Sequence, residues 1–315
     1  MQTPLVDESS SKLQIILLLV LSVSMVSSAS ILILLSTSPA PVIVFWRTLY
    51  GAIFMAMIGL FRSDFSALKN SDVKKNWYWL VIIGIILSFH FSTWFQSLRM
   101  TTVAASVVLV DSSPIFTAIL STLILGESLR RRSWMGVIVA VAGAIFLAWG
   151  DFGGSDVVAL MGDLLALLGA AFLALYFIGG RKFAKGMPIT VYTSVVYLFA
   201  AITTLFLCIS LGYNVLVFEP SEIVIFVALA IFPTVLGHSV NNYLLTKIPA
   251  YVVSSAVLGE PIGATILAAL IFFQYPDLIT LIGFFIILGG VAIVLSDLAV
   301  KEKSQSLSLD DTNGS

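Results

Sequence analysis

Ten long stretches of apolar residues, separated by short polar segments, make up most of the chain. Each stretch is about 20 residues long, the length that an α-helix needs to cross the hydrocarbon core of a bilayer. The predicted helices cover residues 13–35, 42–61, 78–98, 102–125, 133–149, 159–179, 189–211, 222–244, 249–272 and 278–297. Several connections are too short to hold a domain. The pattern therefore predicts an all-α integral membrane protein whose function lies in the helical bundle.

The second half of the chain repeats the first at a fixed offset of 147 residues. Prolines and glycines carry the repeat, and they are scarce enough here for four matches in one register to be informative. The matched pairs are Pro41 with Pro188, Pro114 with Pro261, Gly136 with Gly283, and Gly143 with Gly290. Each half holds five predicted helices, and because five is odd the halves must cross the membrane in opposite senses. We predict two inverted five-helix repeats, residues 12–149 and 157–298, an architecture of many secondary transporters.

Composition supports a membrane protein and excludes other classes. Hydrophobic residues make up 59% of the chain and charged residues only 10%, whereas a soluble domain holds roughly 25% charged residues. The net charge of −1 provides no basic field for nucleic acid. The one cysteine, Cys208, has no partner for an intrachain disulfide, and we expect it to be a small core residue.

Lysine and arginine in the connecting segments predict the orientation of the helices. With the N-terminus in the cytoplasm, 14 of the 16 basic residues fall on the cytoplasmic side, and only Arg47 and Arg99 fall elsewhere. The opposite connections carry acidic residues instead, namely Asp151, Asp156, Glu219, Glu222 and Asp277. We predict that both termini are cytoplasmic, that residues 299–315 form a disordered tail, and that there is no cleavable signal peptide.

Two carboxylates lie inside predicted membrane helices, where an ionisable residue is costly and a functional candidate. Asp111 lies three residues before Pro114, and Glu260 directly precedes Pro261. Because proline has no N–H, these two prolines and Pro233 each leave a carbonyl four residues earlier without its helical partner, so we predict kinks there. A carboxylate beside a kinked, hydrated backbone suits a cation or proton site. The alternative is a purely structural kink with a hydrogen-bonded carboxylate.

Polar and aromatic residues on the second, third and eighth helices complete the candidate site. Arg47 lies at a depth close to that of Asp111. We predict that the two residues pair or that both bind a zwitterionic substrate. The alternative is that the long Arg47 side chain extends to the outer interface. His90 with Trp94, and His238 with Asn242, each have a spacing that places the pair on one helical face. Such mixed faces suit a cavity for a small amphipathic solute. Hydrogen bonding between helices is the alternative, and it requires no substrate.

Motifs for nucleotide binding, metal binding and hydrolysis are absent from the sequence. There is no Walker-type or dinucleotide glycine-rich loop, no Cys/His cluster with metal spacing and no Gly-x-Ser-x-Gly. We therefore expect neither an enzyme nor a cofactor, so that transport would be passive or driven by a gradient. The glycines of the fifth and tenth helices indicate helix packing or a homodimer contact rather than a solute-lining role.

Three segments are specific in their order and spacing. They are SSPIFTAILSTLILGESLRRRSWMGVIVAVAGAIFLA from Ser112, GDLLALLGAAFLALYFIGGRKF from Gly162, and LGHSVNNYLLTKIPAYVVSSAVLGEPIGA from Leu236. Together they resemble the EamA-type transporters of the drug/metabolite transporter superfamily over nearly all of residues 12–298. The resemblance implies ten helices, a central cavity between helices one to four and six to nine, and a location in the plasma membrane. One departure is Gln274, which stands where the first repeat has Glu127.

The leading hypothesis is a secondary transporter that exports amino acids or related small metabolites by alternating access, with protons as the candidate coupling ion. Uptake, or exchange of solutes such as nucleotide sugars, is the alternative within that class. Phosphorylated substrates are disfavoured because Arg47 is the one clear cation within the predicted helices. From a different class, a membrane enzyme or a lipid-handling scaffold stays open.

Overall fold

The computed structural model describes residues 12–69, 71–101, 103–127, 129–148, 157–273, 275 and 278–313. Regular structure in these residues is helical, and the helices group into ten rods. The first half holds α1 (Lys12–Val26 and Ser28–Leu35), α2 (Ala40–Phe61), α3 (Ser71–Ser97), α4 (Val103–Val110, Ser113–Leu120 and the π-helical Ser121–Leu125) and α5 (Arg131–Ala148). The second half holds α6 (Val157–Phe183), α7 (Ile189–Ser210), α8 (Glu222–Leu229, the π-helical Ala230–His238 and Ser239–Lys247), α9 (Ala250–Val257 and Glu260–Phe272) and α10 (Leu278–Asn313).

Eight helices in the described part of the chain are long and apolar enough to cross a membrane. They are Lys12–Leu35, Ala40–Phe61, Trp77–Ser97, Ala105–Leu125, Val157–Phe183, Ile189–Ser210, Glu222–Lys247 and Ala250–Ile271. They correspond to α1–α4 and α6–α9, and α10 adds a shorter apolar helix, Leu281–Asp297. Because a bilayer leaves backbone groups no partner except within a helix or a closed barrel, this is the structure of a multi-pass membrane protein.

The packing of the helices follows the internal repeat. The rod α3 packs along α6 and α7, while α8 packs along α1 and α2. If the two halves are exchanged, so that α1 becomes α6, α2 becomes α7 and α3 becomes α8, each of these contacts turns into another of the set. The contacts α2–α7 and α5–α10 join repeat mates and map onto themselves. This is the pattern that a two-fold axis between the halves produces.

The helices of each contacting pair of repeat mates, such as α2 and α7, run antiparallel, which means that the repeats are inverted. In α2 and α7, a Cβ added to Gly51 would lie 3.4 Å from Cδ2 of Tyr197, and one added to Gly59 would lie 3.3 Å from Cβ of Thr190. Residue numbers therefore rise along α2 as they fall along α7. An inverted pair of repeats is the arrangement that places a shared site at the centre of a transporter.

Glycines bring α5 and α10 into backbone contact. A Cβ added to Gly136 would lie 2.8 Å from the carbonyl oxygen of Gly290, and one added to Gly143 would lie 2.8 Å from the backbone nitrogen of Ile287. Backbone atoms cannot rotate away as a side chain can, so only glycine allows this approach. These mates are also antiparallel, and the contact shows the packing role that the glycine spacing predicts.

Two helices break directly before a proline. In α4 the break is a turn at residues 111–112, ahead of Pro114, and in α9 it is a turn at residues 258–259, ahead of Pro261. A proline lacks the N–H that would continue the helical hydrogen bonds, so the chain leaves the helix there. Asp111 lies in the first break and Glu260 directly follows the second. Both carboxylates therefore lie at positions where the helical hydrogen bonding is interrupted.

The rod α8 passes its proline without a break. Pro233 lies in the π-helical segment Ala230–His238, and the hydroxyl of Thr234 donates a hydrogen bond of 2.8 Å to the carbonyl of Leu229. In an α-helix, Leu229 is the residue whose carbonyl would lose its backbone donor because of Pro233. The hydroxyl of Thr234 supplies a side-chain donor to that carbonyl, and the chain continues past the proline as a π-helix. The kink at Pro233 stays a prediction.

The last helix continues to Asn313, and the disorder expected of residues 299–315 stays a prediction. Extending an existing helix requires no new nucleation, which favours a helical continuation even where the sequence is polar. Four polar residues that the sequence argument used lie outside the described residues, namely Asp151, Asp156, Gln274 and Asp277.

Candidate functional site

A small cavity lies where the two repeats meet. It is lined by residues of α1, α3, α4, α6, α8 and α9, which are three pairs of repeat mates. Three of the lining positions match across the repeat offset: Val26 with Leu173, Trp94 with Asn241, and Val110 with Val257. The cavity therefore lies on the pseudo-two-fold axis. The family resemblance implies a cavity lined by eight helices, but α2 and α7 pack on each other and do not line it.

The cavity holds about 20 Å³, which is room for about one water molecule. Six of its lining residues are polar or aromatic with a polar atom: His90, Trp94, Asp111, His238, Asn241 and Glu260. The other lining residues are apolar. A metabolite does not fit unless the surrounding helices separate, so the described conformation is closed around this space.

The two carboxylates face the cavity from opposite repeats. Asp111 is 1% exposed and Glu260 is 5% exposed. One oxygen of each, Oδ2 of Asp111 and Oε1 of Glu260, has no hydrogen-bond partner in the structure. A buried charged or polar group without a partner is costly, and two of them around one space favour a ligand that supplies a positive charge or hydrogen-bond donors.

Three other lining side chains also have buried polar atoms without partners. These are Nε1 of Trp94, Nδ1 of His238, and both side-chain polar atoms of Asn241. Each such atom carries a penalty of about 1–3 kcal/mol if nothing contacts it. Five of the six polar lining residues thus have unmet hydrogen-bonding capacity toward one space, which is the property of a site for a polar ligand.

His90 is held in place by the backbone of α6. Its Nδ1 lies 2.9 Å from the carbonyl oxygen of Gly169. A carbonyl can only accept, so Nδ1 carries the hydrogen and Nε2 is the acceptor of the neutral ring. The His90 ring lies nearly parallel to Trp94, with centroids 6.1 Å apart, and 6.3 Å from the ring of His238. The three rings form one wall of the cavity.

Arg47 does not line the cavity, which corrects the expectation that it pairs with Asp111. Its Nε donates a 2.7 Å hydrogen bond to the hydroxyl of Thr234, and its guanidinium carbon lies 4.0 Å from the centroid of Phe91. No ion pair joins Arg47 to Asp111 among the described side chains. It is also fully buried, so it does not extend to the interface. The reason is the position of α2, which packs on α7 and α8 rather than on α4.

Asn242 lies one layer behind the cavity. Its Nδ2 donates a hydrogen bond of 2.7 Å to the carbonyl of His238 and another to the hydroxyl of Tyr176. Next to it, the hydroxyl of Tyr197 lies 3.0 Å from that of Ser239. This layer supports the helix that carries His238. Sequence reasoning placed Asn242 on the cavity face and missed Asn241, although Asn241 is the repeat mate of Trp94.

Polar clusters join the repeats at both ends of the bundle. At the end that carries Glu127, its Oε1 accepts a 2.7 Å hydrogen bond from Nε of Arg181, whose Nη1 donates to the carbonyl of Leu245 at 3.0 Å. Arg130, which is close to Glu127 in sequence, lies 3.5 Å from Asp297 instead. The C-terminal end of α6 reaches Glu127 because α6 packs along α4.

At the opposite end, Glu222 accepts hydrogen bonds from the turn between α1 and α2. The hydroxyl of Ser36 donates to Oε2, and the backbone nitrogen and hydroxyl of Thr37 donate to Oε1 at 2.8 and 3.0 Å. Arg99 donates to the carbonyls of Ser36 and Ser38 at 2.9 and 3.1 Å. The first repeat is thus tied to the second at this end as well.

Inverted helical repeats with a polar cavity on their axis are the architecture of many membrane transporters. The sequence profile of the EamA-like transporter family matches residues 13–149 and again residues 160–296. The chain belongs to this family. The two matches differ by the same offset that relates the prolines and glycines of the two halves.

Several transporters are similar in sequence. The uncharacterized transporter YyaM of Bacillus subtilis (strain 168) is 29% identical over 157 residues, which cover 48% of this chain and 50% of that protein. The uncharacterized transporter YdfC of the same organism is 28% identical over 193 residues, covering 60% and 62%. The pseudopaline exporter CntI of Pseudomonas aeruginosa is 27% identical over 136 residues, covering 43% and 46%. The matched part spans between half and two thirds of the two Bacillus relatives.

A solved crystal structure shares the fold. It has a TM-score of 0.73 to this chain at 21% sequence identity, and the match covers 89% of this chain and 96% of the other. At that identity the likeness establishes the fold alone. The helical arrangement described above is therefore one that an existing protein adopts over nearly its whole length.

Proposed function

We propose that this protein exports a small organic metabolite across the plasma membrane by alternating access of the central cavity. The observation that carries the proposal is the position of the cavity on the axis between inverted repeats, with five unpartnered polar side chains facing it. A site on such an axis can open to either side when the repeats exchange conformations. Amino acids and related metabolites are the substrates we favour.

We propose ten membrane spans with both termini in the cytoplasm. In addition to α1–α4 and α6–α9, this assigns α5 and α10 as spans that pack on each other outside the cavity. The distribution of lysine and arginine supports this orientation. The cluster of Glu127 and Arg181 then lies at the cytoplasmic end, and the cluster of Glu222 and Arg99 lies at the outer end.

Glu260 and Asp111 are the residues that we propose to bind the coupling proton or an amine of the substrate. Each has an unpartnered oxygen on the cavity, and each lies at a helix break where the backbone is free to move. His90, His238, Trp94 and Asn241 would complete the contacts of the solute. Protons and substrate would then compete for the same carboxylates, as coupled export requires.

Efflux from liposomes tests the proposal. Purified protein is reconstituted into liposomes preloaded with amino acids and central metabolites, an inward proton gradient is imposed, and mass spectrometry identifies the solutes that leave. Selective efflux that an uncoupler abolishes supports a proton-linked exporter. Efflux that the uncoupler leaves unchanged supports a facilitator or exchanger and contradicts the coupling role. Folded protein without selective flux contradicts transport of these solutes, and solute loaded outside distinguishes uptake from export.

A further inference from the structure

The lining of the central cavity includes two carboxyl side chains, Asp111 and Glu260, but no lysine or arginine; its two histidines are His90 and His238. Asp111 and Glu260 come from repeat mates and are close enough for each to affect the charge of the other. Two like charges that line one small cavity repel, and they do so more strongly than in water because the effective dielectric constant inside a protein is lower. A group of positive charge between them is attracted to both.

Arg47 is not among the side chains that line the cavity, although its charge interacts with that of Glu260. Its Nε is bonded to Thr234, and the rings of Phe91 and Phe95 lie 4.0 and 5.4 Å from its guanidinium carbon. Phe91 is fully buried, and α2 contributes no residue to the cavity lining. An anionic group of a solute would therefore meet the two carboxylates with no cation within the lining to compensate for them.

The aromatic wall favours the same kind of solute. Trp94 lines the cavity beside His90, and an indole ring attracts a cation over its face by about 0.5–2 kcal/mol. The free Nε1 of Trp94 and the free amide of Asn241 can bond a second, neutral polar group such as an ester or amide carbonyl.

We propose that the cavity selects small solutes of net positive charge, whose amine binds between Asp111 and Glu260 against Trp94. This inference rests on the proposed transport function and names its substrate class. Among amino acids and related metabolites this favours the cationic ones: neutral zwitterions bind less well, because their carboxylate has no lysine or arginine partner in the lining, and anions are excluded. The cavity lining supplies the selectivity, while Arg47 lies behind it, bonded to Thr234 of α8 and near enough to Glu260 for their charges to interact.

Binding of probes that share a side chain but differ in charge tests the proposal without requiring transport. For each of alanine, leucine and phenylalanine, the methyl ester is a cation, the free amino acid a zwitterion and the N-acetyl derivative an anion. Isothermal titration of the full-length wild-type protein in detergent should show that at least one ester binds about tenfold more tightly than its zwitterion, and that the N-acetyl derivatives do not bind. Equal or tighter binding of a zwitterion or anion overturns the proposal, and so does failure of every ester to bind.

Variants then identify the carboxylates. Asp111→Asn and Glu260→Gln should each weaken ester binding by about tenfold or more. Asp297→Asn should leave it unchanged, because Asp297 is equally buried but bonds to Ser133 and Arg130 away from the cavity. Unchanged binding by both cavity variants would refute the assignment. Ester binding without any liposome flux would refute the transport function alone, whereas flux of anions would refute the selectivity alone.

Discussion

Replacing Thr234 by valine tests how the protein tolerates a buried arginine in its membrane region. The hydroxyl of Thr234 accepts a 2.7 Å hydrogen bond from Nε of Arg47 and donates a 2.8 Å bond to the carbonyl of Leu229. Valine has the same shape, so Thr234→Val removes both bonds and creates no cavity. Arg47 then keeps only its contact with the rings of Phe91 and Phe95.

The expected loss follows from the two bonds. The bond from Arg47 joins two helices, and such bonds are worth about 0.6 kcal/mol on average and up to about 1.7 kcal/mol. The bond to Leu229 lies within α8, and a typical intramolecular hydrogen bond contributes about 0.5–1.5 kcal/mol, so together they give about 1–3 kcal/mol. Leaving the charged guanidinium without an acceptor shifts the result toward the upper end of that range, because a buried charge that loses its partner is costly. We expect a loss of about 2–3 kcal/mol in the free energy of unfolding.

Equilibrium unfolding in detergent, followed by circular dichroism, measures this loss, and Thr234→Ser is the matched control. Serine keeps the hydroxyl and removes the methyl group that packs beside Gly51, 2.9 Å from where a Cβ on that glycine would lie. Burying one methyl group is worth about 0.8 kcal/mol, so the serine variant should lose about 1 kcal/mol or less. The reasoning fails if Thr234→Val is within about 0.5 kcal/mol of wild type, or if both variants lose the same amount.

Two further predictions concern the periphery and one end of the bundle. Gly290→Ala should destabilise the protein by about 1–3 kcal/mol, because the added Cβ would lie 2.7 Å from Cα of Ala140. In the control Gly289→Ala, the added Cβ meets nothing within 4 Å. That variant should be neutral or gain up to about 1 kcal/mol from helix propensity. Thermal unfolding decides this, and equal effects would contradict the packing of α5 on α10. Glu127→Gln should cost about 1–3 kcal/mol, because its ion pair with Arg181 is largely buried. It should also speed amide hydrogen exchange in the last turn of α6, since it weakens that pair. Unchanged exchange there would show that the pair does not hold α6 to α4.

The helical pattern and the repeat could be predicted from sequence because both depend on local chemistry. Long apolar runs specify the helices wherever they pack. The prolines specify where backbone hydrogen bonds must be missing, and the breaks of α4 and α9 lie within three residues of Pro114 and Pro261. The glycine pairs predicted close packing, and the contact of Gly136 with Gly290 confirms it. Whether α5 and α10 span the membrane stays a prediction.

The partners of the charged residues could not be predicted, since they depend on which helices are neighbours. Arg47 and Asp111 lie at similar depths along their helices, which suggested that they pair, but α2 packs so that Arg47 contacts α8 instead. Glu127 is adjacent in sequence to Arg130–Arg132, yet it bonds to Arg181, which a different repeat supplies. For Asn241 a signal was available, because the offset that matched the prolines also matches it to Trp94.

The central claim is that the carboxylates of the axial cavity are the transport site. The most direct test measures efflux of the solute identified in the liposome experiment by wild type, Asp111→Asn, Glu260→Gln and the buried control Asp297→Asn, each reconstituted at equal, verified folded protein. The account predicts that the two cavity variants lose most of the flux or its dependence on the proton gradient, while Asp297→Asn transports at the wild-type rate. Wild-type flux and wild-type gradient dependence in both cavity variants would contradict it.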